Sequence, residues 1–320
     1  MTIKQQVLKI LLENKDKSVS GEILAKKLFC SRNAVWKAIK SLKDDGYKIS
    51  AVTNKGYRLL EETDCFTAET VKKYLNFDNE ITLLEEVDST NNFLKQKAEN
   101  GALDGLVAVA KSQTGGKGRL GRSFFSPNSG LYLSILLRPD FSAEKSLFIT
   151  TAAAVAVLKA IEKFTNKKAG IKWVNDVFIE NKKVCGILTE ASVDFETGGL
   201  YYAVLGIGVN LYHPKKDFPD DIKNIAGTVF EKEIDNDLKS QFTAEIINNF
   251  FKIYNNFEKS DFMEEYKQKS IVLGKKITVI KGESKREATA LDIDDNARLI
   301  VEYENGEQEK LFSGEVSIKF

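Results

Sequence analysis

The sequence predicts a mixed, multidomain α+β protein with a winged helix-turn-helix, a central mixed sheet carrying helices, and a small C-terminal β-barrel. Its 320 residues, 42% of them apolar, suffice for two or three domains with ordinary cores. Residues 1–64 carry 13 Lys and Arg against eight Asp and Glu, whereas the remainder carries 34 against 38. A basic first domain therefore precedes a mildly acidic remainder.

Composition narrows the possible chemistry. No apolar run approaches the roughly 20 residues of a membrane span, and the N-terminus lacks the signal-peptide pattern, so a cytoplasmic protein is expected. Cys30, Cys65 and Cys185 are odd in number and widely spaced, which supports neither a disulfide framework nor a Cys-x-x-Cys metal site. With His213 as the single histidine, a Ser-His-Asp triad or a His-rich zinc site would depend on one residue. Chemistry is expected to use Lys, Arg, Asp, Asn and backbone amides.

Residues 1–64 predict three helices followed by a hairpin. Ser20 is placed to cap a helix over Glu22–Leu28, and Ser31 a helix over Arg32–Leu42. Two short helices joined by a tight turn form a helix-turn-helix. The predicted wing has strands at Tyr47–Val52 and Gly56–Leu60 and a turn at Thr53-Asn54-Lys55.

The second helix of this pair has one apolar and one cationic face. Insertion into a DNA major groove requires that arrangement, although a solvated lysine-rich helix would look similar. The wing and the positive charge of the domain favour DNA binding. The predicted DNA-binding residues are Ser31, Arg32, Asn33, Trp36, Lys37 and Lys40.

Residues 65–270 are predicted as a second domain and residues 271–320 as a third. The second domain alternates strands and helices and then becomes strand-rich, with hairpin turns at Asn181-Lys182 and Thr197-Gly198-Gly199, which favours a largely antiparallel sheet. Its long helix is predicted over residues 143–164. In the third domain, the Asn305-Gly306 pair between alternating segments is a strong hairpin signal.

A basic, glycine-rich loop spans Gly115–Arg122, in which four glycines alternate with Lys117, Arg119 and Arg122. Backbone amides in such a loop can approach an anion closely while the cations neutralise it, which suits a phosphate or an acyl-phosphate. The spacing fits neither the Walker A nor the dinucleotide-binding pattern, because the loop leads into a strand. A mobile, solvated basic turn is the alternative.

Two further polar clusters interrupt apolar segments. Asp88-Ser89-Thr90-Asn91 marks a strand-to-helix junction, where it could cap the helix or bind a neutral polar ligand. Lys172-Trp173-Val174-Asn175-Asp176 and Lys183 flank apolar strands. A lysine in such a place can snorkel to solvent, or it can neutralise a carboxylate through a reaction.

In this order, the motifs resemble those of biotin protein ligases. The matching segments are Asp-Ser-Thr-Asn, Gln113 with Gly-Lys-Gly-Arg-x-Gly-Arg, Phe-Ser-Pro before Leu-Tyr-Leu-Ser, Lys-Trp-x-Asn-Asp, Lys-x-x-Gly-Ile-Leu-x-Glu and Gly-Ile-Gly-Val-Asn. The N-terminal domain, with Ser-Arg-x-Ala-Val, resembles the bifunctional subgroup that represses biotin operons. Many relatives have arginine at the position of Lys117 and a basic residue at that of Leu120. The resemblance implies a class II synthetase-like catalytic fold and an SH3-like C-terminal barrel.

The resemblance also implies roles for individual residues. Lys183, Arg119 and Asp176 would be catalytic, with Asp176 positioning a metal or the attacking lysine amine. The implied biotin-binding residues are Ser89, Thr90, Asn91, Gln113, Lys117, Gly118, Arg119 and Lys183. The implied ATP- and adenylate-binding residues are Gly116, Arg122, Phe124, Asn175 and Asn210.

The implied reaction joins biotin to ATP, with Mg²⁺ present, and transfers biotin from biotinyl-5′-AMP to a lysine of a biotin carboxyl carrier domain. The adenylate would also act as corepressor by favouring a homodimer on operator DNA. The identity of any protein-bound metal is left open. Two other functions remain to be distinguished: a lipoate or octanoyl ligase of similar fold, and a non-enzymatic winged-helix sensor.

Overall fold

The computed structural model describes residues 2–14, 17–44, 46–52, 55–60, 65–142, 145–193, 196, 198–257, 261–312 and 315–318. The chain divides into two compact units, one of residues 1–71 with 235–241, the other of residues 72–234 with 242–320. The three-domain division at residues 64/65 and 270/271 stays a prediction. Among the described residues, no helix is both long and apolar enough to cross a membrane.

The first unit contains the predicted helix-turn-helix. Its elements are α1 Ile3–Glu13, α2 Gly21–Lys27, α3 Arg32–Asp44, β1 Ile49–Val52 and β2 Gly56–Leu59. Ser20 Oγ and Ser31 Oγ accept hydrogen bonds from Ile23 N and Ala34 N, both at 3.1 Å, which confirms the two predicted caps. The strands pair antiparallel; Thr53 and Asn54 of the predicted wing turn lie outside the described residues.

Apolar periodicity explains why the three helices pack together. Each helix turns one stripe of apolar side chains inward, and the stripes form one core. Its largest buried members include Leu11, Leu24 and Leu42. The opposite face of α3 is left to solvent.

The second unit is built on a seven-stranded mixed sheet in the order β3-β4-β5-β9-β8-β7-β6. These strands are β3 Ile81–Val87, β4 Val107–Gln113, β5 Gly130–Leu137, β6 Ala169–Lys172, β7 Asp176–Ile179, β8 Lys182–Val193 and β9 Leu200–Asn210. Of the six described strand pairs in this sheet, β3–β4 is parallel and the other five are antiparallel, so the predicted mixed and largely antiparallel sheet is confirmed.

Helices cover the sheet. Strand β5 is buried along its whole length, and the alanine-rich helix α6, Ser146–Phe164, buries most of its residues. This helix begins at Ser146; residues 143 and 144 of the predicted helix lie outside the described part of the chain. The other helices of the second unit are α5 Thr90–Glu99, the part of α7 Asn236–Tyr254 from residue 242 onward, and α8 Phe262–Gln268. Helix α4, Ala68–Lys72, lies in the first unit except for its last residue.

The C-terminal residues form a separate five-stranded antiparallel sheet, in the order β13-β12-β11-β10-β14. Its strands are β10 Lys276–Lys281, β11 Ser284–Ile293, β12 Leu299–Tyr303, β13 Gln308–Leu311 and β14 Glu315–Ser317. Trp173 Nε1 donates to Ala297 O at 2.9 Å, which attaches this sheet to the segment between β6 and β7. The SH3-like barrel stays a prediction.

Candidate active site

A cavity of about 300 Å³ in the second unit collects nearly all of the residues that the sequence predicts for ligand binding. The predicted residues that line it are Ser89, Thr90, Asn91, Gln113, Lys117, Gly118, Arg119, Arg122, Phe124, Asn175, Asp176, Lys183 and Asn210. Gly116 is the one predicted ligand-binding residue that is not among them.

One end of the cavity is lined by buried hydroxyl and amide groups. Strands β3 and β4 are parallel with Val87 opposite Gln113, so the segment that follows β3 meets the end of β4. Thr90 donates to Gln113 Oε1 through its backbone N at 2.8 Å and its Oγ1 at 3.1 Å. Ser89 caps α5 and also lines the cavity, so the same residue can cap the helix and contact a ligand. Ser134 of β5 ends the Leu-Tyr-Leu-Ser segment, to which the sequence assigned no ligand-binding role, and its Oγ lies 2.7 Å from Thr90 Oγ1.

A chain of hydrogen bonds fixes the Gln113 amide. Gln113 Nε2 donates to Ser126 Oγ at 3.1 Å, and Ser126 Oγ donates to Phe124 O at 2.8 Å.

Gly116 O accepts from Phe124 N at 2.8 Å, and a Cβ atom at Gly116 would lie 2.4 Å from Phe124 O. Gly116 is therefore required for close backbone approach, which shapes the loop from behind the cavity wall.

The basic loop is attached to the rest of the site by its cations. Lys117 Nζ donates to Asn92 Oδ1 at 2.7 Å, and Arg119 Nη1 donates to Asn175 Oδ1 at 3.1 Å. Asn175 in turn donates through Nδ2 to Ile187 O at 3.0 Å. The alternative of a freely solvated basic turn does not describe this loop, because two of its cations are held by side chains of other elements.

Leu120 departs from the rest of the loop. It adopts a left-handed conformation with φ of 55°, and its side chain is 71% exposed. Such a φ strains a non-glycine residue. Gly118 N donates to Arg122 O at 2.7 Å, and this hydrogen bond closes the loop around Leu120.

Lys183 and Asp176 form an ion pair at the centre of the predicted catalytic group. Lys183 Nζ lies 2.7 Å from Asp176 Oδ1, and the two side chains are 29% and 17% exposed. Among the described residues that line the cavity, Asp176 is the one carboxylate. Cys185, which neighbours Lys183 in sequence, is fully buried, and burial raises the pKa of its thiol far above the ordinary value. Cys185 is therefore a core residue.

The other end of the cavity combines an aromatic ring with glycines. A Cβ atom would lie 2.6 Å from the Phe124 ring at Gly208 and 3.0 Å from it at Gly186, so the ring lies directly on bare backbone of β8 and β9. Asn210 Nδ2 donates to Gly227 O at 3.1 Å. Ile222, Ile225 and Ala226 also line the cavity. The sequence does not predict these three residues as ligand-binding, because they lie in an irregular segment with no motif.

The first unit presents the predicted DNA-binding residues to solvent. The side chains of Ser31, Arg32, Asn33, Trp36, Lys37 and Lys40 are all exposed. Trp36 is 51% exposed, and Lys40 Nζ lies 5.7 Å from the centroid of its ring. An exposed cationic and aromatic face on a helix whose other face is buried suits contact with nucleic acid.

Three family models match successive parts of the chain. The biotin/lipoate A/B protein ligase family matches residues 83–210, an HTH domain matches residues 4–58, and the biotin protein ligase C terminal domain matches residues 272–319. The order of the matches follows the order of the predicted parts.

Curated relatives and a solved structure extend these matches over the chain. The bifunctional ligase/repressor BirA of Bacillus spizizenii is 29% identical over 99% of both chains, and that of Bacillus subtilis is 34% identical over 70% of both. Biotin protein ligase from Aquifex aeolicus, solved in complex with biotin and ATP, is 30% identical with a TM-score of 0.62. That match covers 75% of this chain and 98% of the other.

The fold and the cavity together define a ligase-type catalytic unit that follows a helix-turn-helix domain. The chain belongs to the biotin protein ligase family.

Proposed function

We propose that this chain activates biotin with ATP, forming biotinyl-5′-AMP and pyrophosphate, and then transfers biotin to a lysine of a biotin carboxyl carrier domain. The observation that carries the proposal is that three groups of residues line a single cavity. One end, called the polar end below, is lined by Ser89, Thr90, Asn91 and Gln113. The Lys183–Asp176 pair with Arg119 is the second group, and the Phe124 ring on the glycines is the third. The parts suit a cyclic urea, an acyl-phosphate and a purine, respectively.

In the first step, a biotin carboxylate oxygen forms a bond to the α-phosphorus of ATP while the bond to the bridging oxygen breaks and pyrophosphate leaves. Two anions must approach each other for this reaction. Lys183 and Arg119 would offset their repulsion and stabilise the charge that develops at the mixed anhydride. Lys117, held by Asn92 at the cavity wall, would add a third positive charge.

In the second step, the amine of the carrier lysine attacks the acyl carbon, and AMP leaves with the electrons of the anhydride bond. The attacking amine must be neutral and must lose a proton as the amide forms. Asp176 would receive or orient that proton, since it is the one carboxylate among the described lining residues.

The residues present fit a Mg²⁺ ion that arrives with ATP. Among the described residues, no group of three or more His, Cys, Asp or Glu forms a metal site. Mg²⁺ usually binds through one or two carboxylates together with phosphates and water, so Asp176 alone would suffice. The ion would add positive charge at the phosphates.

Biotin-dependent exchange of labelled pyrophosphate into ATP tests the activation step. We expect exchange with biotin and none with lipoate or octanoate. Exchange that depends on lipoate or octanoate would favour the alternative function, a lipoate or octanoyl ligase, since the matching family includes both biotin and lipoate ligases. Absence of exchange with all three acids would leave the winged-helix sensor.

We also propose that the first unit binds operator DNA, and that the adenylate acts as corepressor by favouring a homodimer. The support is the exposed cationic face of α3 on a domain matched by the HTH family. Fragments of the source genome can be selected on the intact chain and their affinity compared with and without biotin plus ATP. An affinity that these ligands leave unchanged contradicts the corepressor role.

The cytoplasm is the proposed compartment and an SH3-like barrel the proposed form of the C-terminal sheet. The support for the compartment is that Cys30, Cys65 and Cys185 form no disulfide bond with described residues, as is usual for proteins in a reducing environment. The support for the barrel is the match of residues 272–319 to the biotin protein ligase C terminal domain.

A further inference from the structure

Glu190 is the last residue of the Lys-x-x-Gly-Ile-Leu-x-Glu motif. It is not among the residues that line the cavity, and it has no role in the proposed mechanism. It lies on β8 beside the polar end of the cavity. Its carboxylate pairs through Oε1 with Lys95 Nζ and accepts through Oε2 a 2.8 Å hydrogen bond from Asn91 Nδ2. Glu190 therefore contacts a predicted biotin-binding residue from outside the cavity.

The Asn91 side chain is enclosed by groups from three strands. It is 4% exposed. A Cβ atom at Gly206 of β9 would lie 2.3 Å from Asn91 Oδ1, so the bare backbone at Gly206 makes room for the amide. Ser134 Oγ of β5 donates to Asn91 Oδ1 at 2.6 Å, and Leu188 O of β8 accepts from Nδ2 at 3.4 Å.

The shape of this enclosure does not decide which way round the amide lies. The oxygen and nitrogen of an asparagine amide are nearly equal in size, so only hydrogen-bond partners distinguish the two orientations. Ser134 has a hydroxyl group that can either donate or accept. An ionised carboxylate and a backbone carbonyl can only accept, so Glu190 and Leu188 O both favour the orientation in which Nδ2 faces β8 and Oδ1 faces Ser134. The bond to Glu190 is the shorter one, 2.8 Å against 3.4 Å, and it is charge-assisted, so the carboxylate contributes more to this selection.

This choice extends to the hydroxyl groups at the polar end. With Oδ1 facing Ser134, the Ser134 proton is directed to Asn91. In the reversed orientation, Nδ2 would face Ser134 Oγ, and the Ser134 proton would turn to Thr90 Oγ1, 2.7 Å away. The polar end would then offer a different pattern of donors and acceptors to a cyclic urea, whose N–H groups donate and whose carbonyl accepts.

We propose that Glu190 is a positioning residue for biotin: through Asn91 it sets the hydrogen-bond polarity of the end of the cavity that binds the ureido ring. Lys95 has a separate role, which is to neutralise the carboxylate on its far side. This inference rests on the proposed function, since it takes biotin as the ligand.

Calorimetric titration of the full-length chain with biotin, and separately with ATP, tests the proposal at pH 8. We expect Glu190→Ala to weaken biotin binding by roughly ten-fold or more, the usual effect of losing a charge-assisted hydrogen bond. ATP affinity and kcat at saturating biotin should stay near wild type. Glu190→Gln keeps an acceptor oxygen and should recover most of the lost affinity.

Lys95→Met is the matched control, because it removes the ion pair and keeps the carboxylate that faces Asn91. We expect it to lower thermal stability while leaving biotin affinity within about two-fold of wild type, well below the effect of the Glu190 change. Equal loss of biotin affinity in Lys95→Met and Glu190→Ala would show that the pair is only structural and would overturn the proposal. So would unchanged biotin affinity in Glu190→Ala. A wild-type chain that binds no biotin would instead contradict the proposed function itself.

Discussion

Lys183 Nζ lies 2.7 Å from Asp176 Oδ1, across the neighbouring strands β8 and β7. This ion pair holds the ammonium in place, although Asp176 Oδ1 accepts no hydrogen bond from the described residues. A lysine ammonium has three protons that it can donate toward a substrate anion. Neither group is fully buried, so both can also reach the cavity. The pair places a cation where the carboxylate of biotin would be activated.

Replacing Lys183 by Ala should therefore lower biotin-dependent ATP–pyrophosphate exchange by roughly a hundred-fold or more, the usual cost of one electrostatic partner of a transition state. Asp176→Asn keeps the ammonium and should reduce exchange less, and it should reduce transfer to the carrier more. Separate assays of exchange and transfer, with thermal unfolding to check the fold, distinguish the two. Equal losses in both assays for both variants would contradict distinct roles.

Arg119→Ala should release biotinyl-5′-AMP prematurely. The hydrogen bond from Arg119 Nη1 to Asn175 Oδ1 holds the basic loop across the cavity, and its loss removes both a cation and that attachment. Free adenylate acylates any accessible lysine, so we expect biotin on an unrelated bystander protein added to the assay. Arg122→Ala is the comparison within the same loop, and labelling confined to the carrier domain in Arg119→Ala would refute the expectation.

Gly208→Ala should weaken ATP binding more than Gly186→Ala. The new methyl group would lie 2.6 Å from the Phe124 ring in the first case and 3.0 Å in the second, so the ring must move further in the first. Titration with ATP and with biotin measures both effects. An equal effect of the two changes on ATP binding would show that the ring does not define the purine end of the cavity.

The sequence could predict the site residues whose roles follow from their own segment of the chain, and it could not predict those whose roles depend on contacts with distant segments. Thr90 and Gln113 were predictable because each falls in a motif at a strand end, and parallel pairing of β3 with β4 brings those ends together. The role of Ser134 was not predictable, although this residue ends the Leu-Tyr-Leu-Ser segment, because it lies in a wholly buried strand where the apolar pattern indicates only core. Glu190 was part of a motif, yet its role depends on a contact with Asn91, 99 positions away in the chain.

The fold shows the same division. The caps at Ser20 and Ser31 are local and were predicted to the residue. The hairpin turn predicted at Thr197-Gly198-Gly199 implies that β8 pairs with β9. No local pattern specifies that β9 also pairs with β5, because these two strands are distant in the chain. The left-handed conformation of Leu120 was likewise hidden, since leucine does not ordinarily signal it.

Asp294 gives a pH-dependent stability that can be measured. Burial raises the pKa of Asp294, but hydrogen bonds from Arg298 and Asn296 outweigh it and hold the pKa below the ordinary value. A carboxylate with a lowered folded pKa stabilises the fold above its unfolded pKa, and this contribution is lost as the pH falls through the folded pKa. Asp294→Asn should cost about 1–2 kcal/mol at pH 7 and progressively less in acid.

Urea unfolding followed by Trp173 fluorescence measures this effect, because Trp173 Nε1 donates to Ala297 O within the same turn. A Trp36→Phe background leaves Trp173 as the single reporter. Asp295→Asn is the matched control, since the Asp295 side chain is fully exposed. A cost that stays constant with pH in Asp294→Asn would contradict the assignment.

Lys37→Ala and Lys40→Ala should weaken binding to DNA without changing ATP–pyrophosphate exchange. Both side chains are exposed on α3, and each lysine that neutralises a phosphate contributes about 0.9 to the slope of log affinity against log salt. A short duplex of arbitrary sequence suffices to measure that slope. Lys9→Ala, an exposed lysine on α1 that lies 4.0 Å from Glu13, is the control and should leave the slope unchanged. Equal slopes for wild type and both α3 variants would mean that this face does not contact the phosphate backbone.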